Sequence, residues 1–222
     1  MKSFFRNIAE SVFNTNAWVA FVALCVLSLL TMAFQQYFIL TDDVYYNSLG
    51  EQLAYDRIEK MLDGQKKYQW LGYALTPVLL ILQIFLITIC LNVGTLLRGD
   101  KISFRKLFSM VTKVLIIPVF FKFLMVCMTY FFYDIKSFND LVNVFSFSMI
   151  NFFDATSLPA WLQYPLAMVN LVELIFWLLL AYGIRLLLDM DFSRSISFVG
   201  YTYGVGLVMW VLFMVFLQVS LS

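Results

Sequence analysis

RGDKISFRKLFSMVTK, residues 98–113, is a short basic stretch wedged between two apolar runs, each long enough to cross a bilayer. The chain must therefore turn at a membrane surface here. The density of Lys and Arg marks that surface as the cytoplasmic one. Arg98 and Gly99 end the preceding helix, and Asp100 is placed to cap the next one. Phe104, Leu107, Phe108 and Val111 then fall on one helical face, while Lys101, Arg105 and Lys106 fall elsewhere. Residues 98–113 are accordingly expected to lie along the membrane surface as an amphipathic segment.

Working outward, the sequence divides into five spans. Residues 1–16 carry Phe4, Phe5, Ile8, Val12 and Phe13 at helical spacing, with Lys2 and Arg6 among the polar positions, as in an interfacial amphipathic helix. The run 17–40 is too long for a signal-peptide core and no small-residue cleavage pattern follows it, so it is expected to stay as the first span. Residues 41–68 form a polar loop, with a helix over 49–63 started by a Ser48/Glu51 capping box and stopped by Gly64. The remaining spans are expected at 70–97, 114–133, 165–188 and 195–220. Between the third and fourth lies an apolar loop, 134–159, too short to cross and suited to an interfacial or re-entrant path.

The expected fold is thus an all-α, polytopic membrane bundle forming a single domain, 1–222. Most Lys and Arg fall on the side of residues 98–113, which places the N-terminus inside and the C-terminus outside. Tyr68, Trp70, Tyr133, Trp161 and Tyr164 gather at the expected outer ends, giving the same layout from different residues. A bacterial inner membrane is the expected location.

Composition agrees and excludes several functions. The 222 residues are 62% hydrophobic and 13% charged, far too apolar for water to be the only solvent. The bilayer is the first partner. The net charge of +1 comes with no continuous basic patch, so nucleic acid is not a partner. Cys25, Cys90 and Cys127 all lie within apolar runs without CxxC spacing, and histidine is absent. This argues against a disulfide framework, a metal site or any other cofactor. No GxSxG, HExxH or paired-carboxylate motif is present, and the chain reads as non-enzymatic.

Among polar residues inside the spans, Lys122 is the most informative. A lone cation at mid-depth costs roughly 2.5–3.5 kcal/mol on insertion scales, so Lys122 needs a partner. Glu173, in the fourth span, is the one acid of comparable depth, and Asn170 is placed to assist. Three outcomes stay open: the group locks two helices together, it forms part of an ion or substrate path, or Lys122 snorkels to the interface without a pair. Pro118, one turn before Lys122, frees the carbonyl of Val114 and should kink the third span. Gly200 and Gly204 form a GxxxG pattern suited to close helix packing.

Two stretches, ISFRKLFSMVTKVLIIPVFF and LVELIFWLLLAYGIRLLLDMDFSRSISF, resemble the Yip1 family of five-span membrane proteins. The similarity lies in a serine-and-basic entry to a span with an early proline, then an acid, Trp177, Gly183 and a short turn into the last span. It implies a non-enzymatic accessory protein that organises partner membrane proteins or forms homo-oligomers, and it transfers no site residues. The alternative from the residues themselves is a transporter or permease subunit using Lys122 and Glu173.

Overall fold

The computed structural model describes residues 15–50, 53–138, 140, 148–153 and 158–221. Asn16 opens the first helix: its side chain accepts from the Trp18 N–H at 3.2 Å, and α1 (Ala17–Phe34) continues as a π-helical turn, Gln35–Ile39. The expected helix of residues 1–16 falls outside the described residues. Next along the chain come α2 (Asp42–Leu49), α3 (Tyr55–Arg98), α4 (Phe104–Phe132), α5 (Ala160–Met168), α6 (Leu171–Leu188), α7 (Phe192–Val199) and, after a π-helical turn over Gly200–Gly204, α8 (Val205–Leu221). Five of the resulting helices are long and apolar enough to cross a membrane, as in a multi-pass membrane protein. Among the described residues there is no strand, only an isolated antiparallel bridge between Ser148 and Asn170.

Three expected boundaries move. The helix anticipated over 49–63 is two elements: α2 ends at Leu49, and the chain from Tyr55 runs through Gly64 into the second span without a stop. Gly64 has open space around it and helix-favouring neighbours on both sides, so it costs only about 1 kcal/mol and cannot end the helix alone. Ser48 lies in the last turn of α2, where its hydroxyl donates to the Val44 carbonyl at 2.7 Å and accepts from the Phe138 N–H at 2.9 Å. At 44 residues, α3 is about 66 Å long, roughly twice a hydrocarbon core, so its polar first turns stand clear of the apolar belt. There α2 covers them through Tyr45, Ile58 and Leu62, with Lys66 and Asp42 paired at 2.9 Å.

The segment expected to lie separately along the surface is the beginning of α4. Ser103, not Asp100, takes the N-cap position, and the helix runs without a break from Phe104 to Phe132. Buried Leu107, Val111, Val114, Leu115 and Pro118 recur at helical spacing, so one face is shared by the basic stretch and the span. No breaker separates them. Gly99 ends α3 as foreseen, at φ 83°, with the Asp100 N–H donating to the Thr95 carbonyl at 2.9 Å.

The fourth span is broken. α5 contains Pro165 and ends at Met168; Val169 leaves helical geometry (φ −81°, ψ 89°), and Asn170 restarts the chain as the N-cap of α6. The freed Val169 carbonyl accepts from the Met149 N–H at 2.9 Å, which pins the 3₁₀ turn Met149–Phe152 to the break. Residues 139, 141–147 and 154–157 of the apolar loop 134–159 that precedes it lie outside the described residues.

α4 is central: it packs against α1, α3 and α6, while α6 also packs on α7. Leu24, Ile84, Leu91, Leu107, Val111, Leu180, Ile184 and Phe198 form the core at their junction. Buried threonines satisfy themselves, as Thr88, Thr112 and Thr202 each donate to the carbonyl four residues earlier. The expected GxxxG pair divides. A side chain at Gly204 would meet the Trp177 ring at 2.7 Å, whereas Gly200 faces open space. Gly200→Ala is therefore expected to change stability by less than about 0.5 kcal/mol in a reversible unfolding assay, while Gly204→Ala loses well over that amount.

Candidate functional site

A cavity of about 790 Å³ opens where α1, α3, α4, the α5–α6 break and the π-helical turn before α8 meet. Its wall brings together Lys122, Glu173, Asn170 and Pro118, four residues singled out from the sequence. Thr31 and Gln35 from α1 and the π-helical turn after it, with Thr76 and Gln83 from α3, add further polar groups. From Lys113 to Lys122 the α4 backbone rises about 13 Å, and another 15 Å or so separates Lys122 from Phe132, so the lysine lies near the middle of the apolar part of the helix.

The anticipated Lys122–Glu173 ion pair is not formed. Glu173 Oε1 instead accepts from the Tyr203 hydroxyl at 2.7 Å and from Trp177 Nε1 at 2.9 Å. Lys122 takes part in no ion pair among the described residues, and Glu173 Oε2 has no protein hydrogen bond there either. Two opposite charges thus face one cavity without contact. The reason is local: Trp177 lies one turn after Glu173 on α6, and Tyr203, itself buried, is delivered by the π-helical turn, so both donors reach the carboxylate before Lys122 does.

Asn170 has a different task from the one expected. Its Oδ1 accepts from the Glu173 N–H at 2.8 Å, and its Nδ2 donates to the Ala167 and Met168 carbonyls at 3.1 and 3.3 Å. One side chain satisfies both helix ends at the break and fixes where α6, and hence Glu173, begins. Pro118 is buried beside the cavity; the Val114 carbonyl has no N–H from residue 118 to accept, but α4 remains one helix.

Two contributors were missed in the sequence. Trp177 was detectable, since Glu173 and Trp177 stand four apart on a helix. Tyr203 had no local signal, because it is thirty positions from Glu173 in another helix. The cavity as a whole offers a cation, a carboxylate oxygen and amide groups of Gln35 and Gln83, with Phe176 and Leu80 as apolar wall. Such an arrangement can bind and orient a small polar solute inside the bilayer. Comparison with protein-family models, with curated proteins and with solved structures returned no match.

Proposed function

We propose that this chain is a non-enzymatic, solute-binding subunit of a membrane transporter or permease, with the Lys122–Glu173 cavity as its binding site. The observation that carries this reading is the presence of two opposite charges that do not meet on the wall of one cavity between apolar, membrane-length helices. Leaving them apart is expensive in a bilayer unless something fills the space between them. A small zwitterion answers both: its anionic group meets Lys122 Nζ and its cationic group meets Glu173 Oε2. A simple anion would face the carboxylate, and a simple cation the ammonium. The helix break at Asn170 supports the same reading, since it aims the N-terminal end of α6 at the cavity, and broken helices recur at transporter sites.

The proposed topology puts the N-terminus and residues 98–113 in the cytoplasm and the C-terminus outside, with residues 1–16 in the interface of a bacterial inner membrane. In proteoliposomes holding the purified full chain, a panel of labelled zwitterionic amino acids is expected to include one that is taken up above protein-free vesicles. Lys122→Met should lower that uptake at least about tenfold with helix content unchanged. Wild-type vesicles that neither bind nor move any member of the panel would reject the reading.

A second reading, a Yip1-like accessory protein that organises partner membrane proteins, is favoured by one specific observation. Phe152, 86% exposed, is presented on a 3₁₀ turn pinned to the α5–α6 break. A rigid aromatic held out from the bundle suits a docking contact. Under that reading a stoichiometric membrane partner copurifies at native expression and is lost in Phe152→Ser, whereas Lys122→Met retains it.

A further inference from the structure

The basic stretch takes no part in the Lys122 cavity, yet it builds a groove of its own. α4 and α6 leave about 500 Å³ between them at the end of the bundle near Ser103. On the α4 side, Lys106, Ser109, Met110 and Lys113 recur at i, i+3, i+4 and i+7 and so line one stripe, with Arg105 and Ser103 at its mouth. On the α6 side the wall is Gly183, Leu186 and Leu187, entirely apolar.

The lining therefore holds three cationic side chains and no carboxylate, and Arg105 and Lys106 enter no ion pair among the described residues. Basic residues that merely obey the charge bias of membrane proteins need no concavity and no facing apolar wall. Here both are present, and the basic stripe continues directly into a membrane-length helix. Head-group and acyl-chain chemistry lie side by side.

We propose that this groove binds the phosphate of an anionic glycerophospholipid. Arg105 and Lys106 engage the phosphate oxygens, the guanidinium fork in bidentate fashion, and the Ser103 and Ser109 hydroxyls donate further bonds. An acyl chain runs over Met110, Leu186 and Leu187. A zwitterionic lipid also offers a phosphate, but its ammonium finds no carboxylate in the groove, so the site selects for net negative charge.

Native mass spectrometry of the full chain in detergent tests this directly. Phosphatidylglycerol is expected to be retained about tenfold better than phosphatidylcholine of the same acyl chains, equivalent to about 1.4 kcal/mol. Soluble glycerol 3-phosphate should fail to displace it, which separates a lipid from a free phosphate. Arg105→Gln with Lys106→Gln should bring the ratio close to one, and Lys101→Gln, exposed and outside the groove, should leave it unchanged. Equal retention of the two lipids by wild type, displacement by glycerol 3-phosphate, or an equal loss in Lys101→Gln would each overturn the proposal. If the double variant does not fold, Arg105→Lys decides: the bidentate reading requires it to lose part of the preference, and an unchanged ratio rejects that reading.

Discussion

Gly94→Ala will destabilise the bundle by about 2 kcal/mol, and adding Thr202→Ser will restore most of the loss. A side chain at Gly94 meets Thr202 Cγ2 and approaches the Phe198 ring at 2.9 Å, where α3 lies against α7 and the π-helical turn after it. Both neighbours are buried, and Phe198 belongs to the central core, so moving either one aside gives up packing already made. Thr202→Ser removes the obstructing methyl but keeps the hydroxyl that donates to the Phe198 carbonyl at 2.7 Å. The pair of substitutions therefore isolates the steric term. Steric trap or denaturant unfolding in detergent measures both steps; an equal loss in the single and double variants would show that the close approach is not responsible. Gly94→Leu, with three more carbons at the same point, is expected to yield no monodisperse protein at all.

The second large effect concerns Glu173→Leu. Removing the carboxylate leaves the buried Tyr203 hydroxyl and the Trp177 N–H without their acceptor, at 2.7 and 2.9 Å in the native protein. An unsatisfied buried donor costs about 1–3 kcal/mol, so a loss of about 2 kcal/mol and a Tm lowered by about 5 °C are expected. Tyr203→Phe in the Glu173→Leu background should recover part of it, because an absent hydroxyl needs no acceptor. Glu173→Gln, whose carbonyl oxygen still accepts, should lose less than Glu173→Leu. The comparison with Lys122→Met is informative. Lys122 holds nothing in place, so its removal should leave Tm unchanged or higher while any uptake through the cavity disappears. Were Lys122 and Glu173 simply a helix clamp, the two substitutions would cost similar amounts.

These two sites also separate what local chemistry dictates from what it leaves open. Apolar runs of membrane length, the basic turn at residues 98–113, and the end of α3 at Gly99 arise from burial and backbone geometry acting within one segment, and five membrane-length helices are found where those runs lie. The grouping of Lys122, Glu173, Asn170 and Pro118 was readable too, because each is a polar or helix-breaking residue that the apolar spans would otherwise exclude. Element boundaries were less so: Gly64 weakens a helix by an amount that neighbouring turns override, and no breaker stands between the basic stretch and the span after it, which is why α3 and α4 run on.

The amino-acid sequence alone determined the apolar character of the chain, the number of membrane-length helices and the polar residues out of place in them, since each depends on transfer free energies of contiguous residues. Only the tertiary structure decided which partner Glu173 takes, which glycine lets two helices touch, and that α4 and α6 enclose a basic groove. Those outcomes depend on distances between residues far apart in the chain: Tyr203 reaches Glu173 across thirty positions, and Gly94 and Gly204, not Gly200, stand at close approaches to other helices.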